Sequence, residues 1–292
     1  MHPAPSIIFF TVFSGLGFGM LTFLGMGKPD VSGFTAFVFF AIAYLLAVGG
    51  LISSTFHLGN PQRALKAFSQ WRTSWLSREG CLAVATLLVM GVYGFALVFL
   101  NIRIGVLGVT GAILSLLTVV GTSMIYTQIK TVPRWHHWST PPLFVGFALT
   151  GGALLSNQLS LAIPMLLVIG IFQVVAWLLG DRQFAASGST IETATGLGRI
   201  GKTRMFEAPH SSKNYLMKEM VHVVGRKHAF NLRIIGLALL SLLPFLFLMF
   251  IGWSHLTVAV VLLMHIAGAL TTRWLFFAQA EHTVGLYYGE RR

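Results

Sequence analysis

The chain has 292 residues, of which 55% are hydrophobic and only 10% are charged, yet its formal net charge is +12. A mean hydropathy of +0.77, carried by repeated apolar windows near the length that crosses roughly 30 Å of hydrocarbon, excludes a soluble fold and gives an all-α polytopic membrane protein. The one cysteine, Cys81, excludes an internal disulfide and a four-cysteine iron–sulfur cluster, so any redox metal must belong to a partner.

Eight spans are predicted, at about residues 6–27, 33–56, 81–100, 104–129, 143–157, 161–180, 234–252 and 256–278, in a single integral domain. No Lys or Arg precedes Lys28, so the first window is read as a retained span and not as a signal peptide. The second window runs into His57–Gly80, HLGNPQRALKAFSQWRTSWLSREG, which packs a histidine, four cations, Glu79, Trp71 and Trp75 into a membrane boundary. Such a segment suits an amphipathic ligand. The fifth window is the weakest, with 13 strongly apolar residues between Pro142 and Ser156, and without it the count is seven. Just before it, Trp135-His136-His137-Trp138 reads as an interfacial aromatic anchor in preference to a metal tract.

The 53-residue connection at 181–233 holds Gly196-Leu197-Gly198-Arg199-Ile200-Gly201-Lys202-Thr203, which matches the phosphate-loop string G-x-x-x-x-G-K-[ST]. That string binds nucleotide only between a buried strand and a helix, and the flanks IETAT and RMFEAPH predict neither. The expectation is an ordered glycine-rich loop that docks on something.

Lys and Arg alternate sharply between the two sides. Four fall in 57–80, two in 130–141, nine in 181–233 and three at the C-terminal end (Arg273, Arg291, Arg292), against Lys28 and Arg103 on the opposite side. The positive-inside tendency puts the basic side and both termini in the cytoplasm of a bacterial inner membrane. Basic loops beside spans serve orientation and lipid headgroups, so nucleic acid is not expected as a partner.

Haem b needs two imidazoles at one depth on different spans, and neither spacing nor position singles out a pair among the ten histidines. His265, alone in mid-span, is expected to make an interhelical hydrogen bond. An anion transporter would show broken helices and ionisable groups at the midplane, whereas here they gather at the boundary. Quinone fits that boundary best. Its reduction takes two electrons and two protons, so the pocket needs proton-delivering groups such as His57 and Glu79. Arg63 is placed to stabilise an anionic intermediate, and Trp71 or Trp75 to stack on the ring. A third reading is a purely structural anchor whose partner houses the quinone. No residue is expected to carry substrate chemistry, and no metal-ligand set is expected.

His57-Leu58-Gly59-Asn60-Pro61 with Arg63-Ala64, followed by Ser74-Trp75-Leu76-Ser77-Arg78-Glu79, resembles the signature of the membrane-anchor subunits of dimethyl-sulfoxide-reductase-type molybdoenzymes. The opening MHPAPSIIFFT, the loop ATGLGRIGKTRMFEAPHSSKNYLMKEM and RKHA are also similar to that family, so the likeness covers essentially the whole chain. The resemblance implies an eight-helix anchor with no metal of its own, holding an iron–sulfur subunit and, through it, a molybdopterin catalytic subunit, and exchanging electrons with quinone at His57, Arg63 and Glu79. The inward orientation favours the branch resembling anchors of cytoplasmic-facing sulfite dehydrogenase (quinone) complexes. Ubiquinone is then the favoured partner and menaquinone the other. A dimethyl-sulfoxide-reducing anchor that oxidises menaquinol is the alternative.

Overall fold

The computed structural model describes residues 1–57, 60–207, 212, 214–220, 228–252 and 254–288, without the side chains of His57 and Pro61. All regular structure among these residues is helical. Eight apolar helices follow in order: α1 Pro5–Gly25, α2 Gly33–Phe56, α3 Trp75–Leu100, α4 Gly105–Thr127, α5 Thr140–Leu155, α6 Leu159–Ala186, α7 Ala229–Phe250 and α8 His255–Ala278. Seven are long and apolar enough to cross a membrane, and α5 is shorter. Its 16 residues reach only about 24 Å.

Two boundaries differ from the sequence expectation in ways that matter for function. Helix α3 starts at Trp75 and not near 81, so Glu79 lies in its second turn. Helices α6 and α7 both extend past their apolar windows, which shortens the long connection to 187–228. The extension is stabilised by charge pairing: Arg233 on α7 clasps Asp181 on α6 through two bonds of 2.6 and 2.7 Å, and Arg134 pairs with the same carboxylate.

Helix α1 is the axis of the bundle, with 78% of its most apolar window buried, against 28% for α2, α6, α7 and α8. Small residues let its neighbours approach closely. A Cβ on Gly19 would sit 1.8 Å from the Ala148 carbonyl oxygen, and one on Gly152 would sit 2.3 Å from the Gly19 backbone, so α1 and α5 touch backbone to backbone.

Three helices contain a π-turn, at Phe10–Ser14, Ala96–Leu100 and Ala238–Leu242. The turn in α7 has a visible cause. Pro244 has no N–H to return to the Leu240 carbonyl, and that carbonyl instead accepts a hydrogen bond from His265 Nδ1 on α8 at 2.7 Å. The interhelical bond expected of His265 is therefore present.

Both described ends of the chain gather at the end of the bundle that carries the long connections. The Met1 ammonium donates to the Ala280 carbonyl at 2.7 Å, and His2 N–H to the Glu219 carbonyl at 2.7 Å. Tyr287 donates to the Ala194 carbonyl at 2.5 Å, so the glycine-rich connection docks on the segment after α8. At the other end the connections are short, and an Arg103–Asp30 ion pair ties two of them together.

Candidate functional site

Helix α3 buries Glu79, Ala83, Thr86, Met90 and Tyr93 at helical spacing, and α4 answers with Ser115, Thr118, Thr122 and Tyr126. These two stripes meet. Glu79 is only 4% exposed, and Thr122 Oγ1 donates to its Oε1 at 2.6 Å. The same hydroxyl lies 3.1 Å from the Thr118 carbonyl. A hydroxyl has one proton and two lone pairs, so Thr122 donates to an ionised Glu79 or, turning to Thr118, accepts from a protonated one. The pair thus serves either charge state without stranding a buried polar group. One step deeper, the hydroxyls of Thr86 and Thr118 are 3.0 Å apart.

The other residues singled out from sequence do not join Glu79 in the interior. Arg63 and Lys66 are exposed on the tight-turned segment Pro61–Gln70, as are Leu65 and Phe68, and Trp71 just after it is exposed too. Trp75 is half-buried at the start of α3. His57 ends the turn Ser54–His57, and its side chain lies outside the described residues. Arg78 has a structural duty that its place in a charged segment concealed. Its guanidinium lies 4.5 Å from the centre of the Trp75 ring and donates to the carbonyls of Trp71 and Arg72 at 3.0 and 2.6 Å, which pins the turn entering α3.

Residues outside that segment complete the corner. Tyr126 lies within electrostatic reach of both Glu79 and Arg273. Arg273 must be removed from the loop charges with which its position grouped it: it is 4% exposed inside α8. Its guanidinium carbon stands 3.7 Å from the centre of the Phe144 ring, with Phe147 and Phe276 at 5.2 and 5.5 Å, so aromatic faces take the place of water. Its Nε and Nη1 have no hydrogen-bond partner among the described residues. The signal was present in sequence as a stripe, since His265, Gly268, Ala269, Thr272 and Arg273 follow i, i+3, i+4, i+7, i+8 and all are buried.

The tryptophan–histidine tract divides its labour. Trp138 is 61% exposed, as an interfacial anchor would be, but Trp135 is 4% exposed. Its Nε1 donates to the Phe276 carbonyl at 2.9 Å, and its ring packs among Tyr126, Phe276 and Phe277. Nearby, burial pulls the Arg134 guanidinium below its ordinary pKa while Asp181 opposes that shift. Among the described residues no group of three or more His, Cys, Asp or Glu gathers as a metal site. In the phosphate-loop string, Gly196 takes φ 70° to end the short helix Ile191–Thr195, Leu197–Arg199 forms one tight turn, and 202–205 is irregular. Neither the strand nor the helix of a nucleotide loop flanks it in the described residues.

Comparison with known proteins gives a family and one informative relative. The chain is 31% identical to a protein of Allochromatium vinosum named as a sulfite dehydrogenase subunit, over 325 aligned positions that cover 99% of both chains. No solved structure matches. The family model described as DMSO reductase anchor subunit (DmsC) matches residues 1–279, so nearly all of the helical bundle falls within it. The chain therefore belongs to the DMSO reductase anchor subunit (DmsC) family and is a membrane anchor subunit.

Proposed function

We propose that this anchor passes electrons between an iron–sulfur partner and the quinone pool, at a site on the loop-bearing end of α2, α3 and α4. The observation that carries the reading is Glu79: a buried carboxyl, held by a hydroxyl that accommodates either charge state, roughly 6 Å inside the end of α3. Quinone reduction consumes two protons with its two electrons, and a carboxyl that gains and loses a proton at the membrane boundary is suited to deliver one. His57, at the end of α2, supplies the second proton. Arg63 meets the negative charge that builds on the head group, and Trp71 and Trp75 offer ring faces at the boundary.

The iron–sulfur subunit docks on the basic end and links the anchor to a molybdopterin catalytic subunit. The relative's name, that of a sulfite dehydrogenase subunit, supports sulfite oxidation by the partner; in our reading quinone, ubiquinone in the first place, is the acceptor. The family description supports a second reading, dimethyl sulfoxide reduction by the partner, for which menaquinol would be the electron donor. In our reading α5 completes eight crossings of a bacterial inner membrane, and the excess of Lys and Arg puts both termini and the docking loops in the cytoplasm.

His57→Ala in the assembled complex tests the site. Loss of quinone reduction with assembly retained is expected, and unchanged reduction contradicts the reading. Cysteines placed at the exposed positions Asn157 and Ser187 test orientation with an impermeant thiol reagent on intact cells. Labelling at 157 alone is expected, and labelling at 187 alone reverses the topology.

A further inference from the structure

Arg273 and His265 face one interior cavity of about 20 Å³, bounded also by Thr11, Ser14 and Thr122. Both side chains are almost wholly buried, and each turns unpartnered polar atoms inward: Nε and Nη1 of Arg273, and Nε2 of His265. Because His265 Nδ1 donates to the Leu240 carbonyl, Nε2 carries the lone pair. The two residues therefore bring both N–H donors and an acceptor to the lining of one cavity. Its lining is mostly apolar, but Thr11, Ser14, Thr122, His265 and Arg273 give a water molecule polar partners, and its volume suits one water and is too small for a quinone ring.

Two features show that the site is built and not a packing fault. The cavity is lined by the π-turn of α1, which supplies Thr11, Val12 and Ser14, and by His265, whose ring is fixed by the Leu240 carbonyl in the π-turn of α7. Such turns are frequent at functional sites. The cavity also has neighbours. Arg273 and Phe147 border a second one of about 30 Å³, and Arg134 and Gln279 join that to a third of about 50 Å³ beside Asp181 and Glu281. The string leads from Thr122, the hydroxyl that holds Glu79, past Arg273 to the charged loop-side surface.

We propose that these cavities hold ordered water, and that the water forms the proton path from the loop-side surface at Asp181 and Glu281 to Glu79, with Arg273 and His265 positioning it. The path rests on the quinone reading of Glu79. Quinone takes two electrons from the iron–sulfur partner and two protons to become quinol, and the proton lost by Glu79 is replaced through Thr122 from this water. Arg273 holds the water oxygens by its N–H groups.

The test uses the whole complex with a short-chain quinone, comparing the parent with Arg273→Met and Gln279→Leu in H₂O and D₂O. Each variant is expected to lose about tenfold or more in kcat, with KM for quinone unchanged and a larger solvent isotope effect, because proton supply has become limiting. Parental kcat, or a change in KM alone, overturns the path. Should Arg273→Met fail to assemble, Gln279→Leu between the second and third cavities decides. A high-resolution electron cryo-microscopy map is expected to show density bonded to both Arg273 and His265, and a dry cavity overturns the proposal. Glu79→Gln in parallel separates the two readings. If it is inactive beside silent Arg273→Met and Gln279→Leu, the path alone fails; if it has parental turnover, the quinone reading itself fails.

Discussion

Glu79 and Arg273 are both buried ionisable groups, roughly 6 to 8 Å inside the same end of the bundle, and the fold treats them oppositely. Glu79 has a dedicated hydroxyl that serves either of its charge states, whereas Arg273 is surrounded by aromatic rings and left with two N–H groups unpartnered among the described residues. An unsatisfied polar group in hydrocarbon is costly, and an intramembrane ionisable residue is rarely idle. The contrast distinguishes a group with a hydroxyl partner built in from a group whose two N–H donors find no partner among the described residues.

The strongest way to break that contrast is Glu79→Gln. The amide keeps the shape and the bond from Thr122 but cannot carry a proton, so steady-state quinone reduction by the assembled complex is expected to fall about 10²-fold or more. Parental activity would reduce Glu79 to a packing group. Thr122→Val sharpens the same point by leaving the carboxyl without its hydroxyl, at an expected stability cost of about 1–3 kcal/mol, read as a lower unfolding temperature of the detergent-solubilised protein. On the other side of the comparison, Phe144→Leu removes the ring beneath Arg273. A loss of about 0.5–2 kcal/mol in the same assay is expected beyond that of the smaller side chain, with Phe23→Leu, at a ring buried as deeply as Phe144, as the control, and equal losses would mean that the guanidinium does not depend on that face.

The smallest effect concerns a histidine outside the spans. Burial, aided by the nearby N-terminal ammonium, holds the His282 imidazole below its ordinary pKa of 6.5, and its Nδ1 accepts from Val284 N–H at 3.0 Å. A depressed histidine pKa gives stability that is present above 6.5 and is lost as pH falls below it, because the unfolded chain then takes up the proton first. Amide exchange at residues 1–4 and 280–286 is expected to speed up as pH drops through that window once intrinsic rates are corrected for, and His282→Gln should flatten the dependence.

Much of this was legible in the sequence. Apolar windows gave the spans, including the weakness of the fifth, because hydrocarbon thickness imposes a length. Glu79 stood out as a carboxylate beside a span, and His265 as a polar group needing a neighbour. The exact start of α3 was hidden because Trp75, Arg78 and Glu79 look like boundary residues by composition. Only the folded turn shows that Arg78 pins Trp71 and Arg72 while Glu79 points inward. Arg273 was misplaced for a related reason: a charge near the end of an apolar window reads as a loop charge until the rings of Phe144, Phe147 and Phe276, far away in sequence or a turn along, are seen around it. The stripe on α8 shows that Arg273 faces inward, but the two rings of α5 that meet it leave no signal in the residues around it.

The central claim, that quinone reacts at the Glu79 corner, is tested most directly in a single turnover. The iron–sulfur subunit of the purified complex is reduced with substrate, mixed rapidly with quinone, and the reoxidation of its clusters is followed by absorbance. Prompt reoxidation in the parent, with clusters that stay reduced in Glu79→Gln, is the predicted result; reoxidation of Glu79→Gln at the parental rate would contradict it.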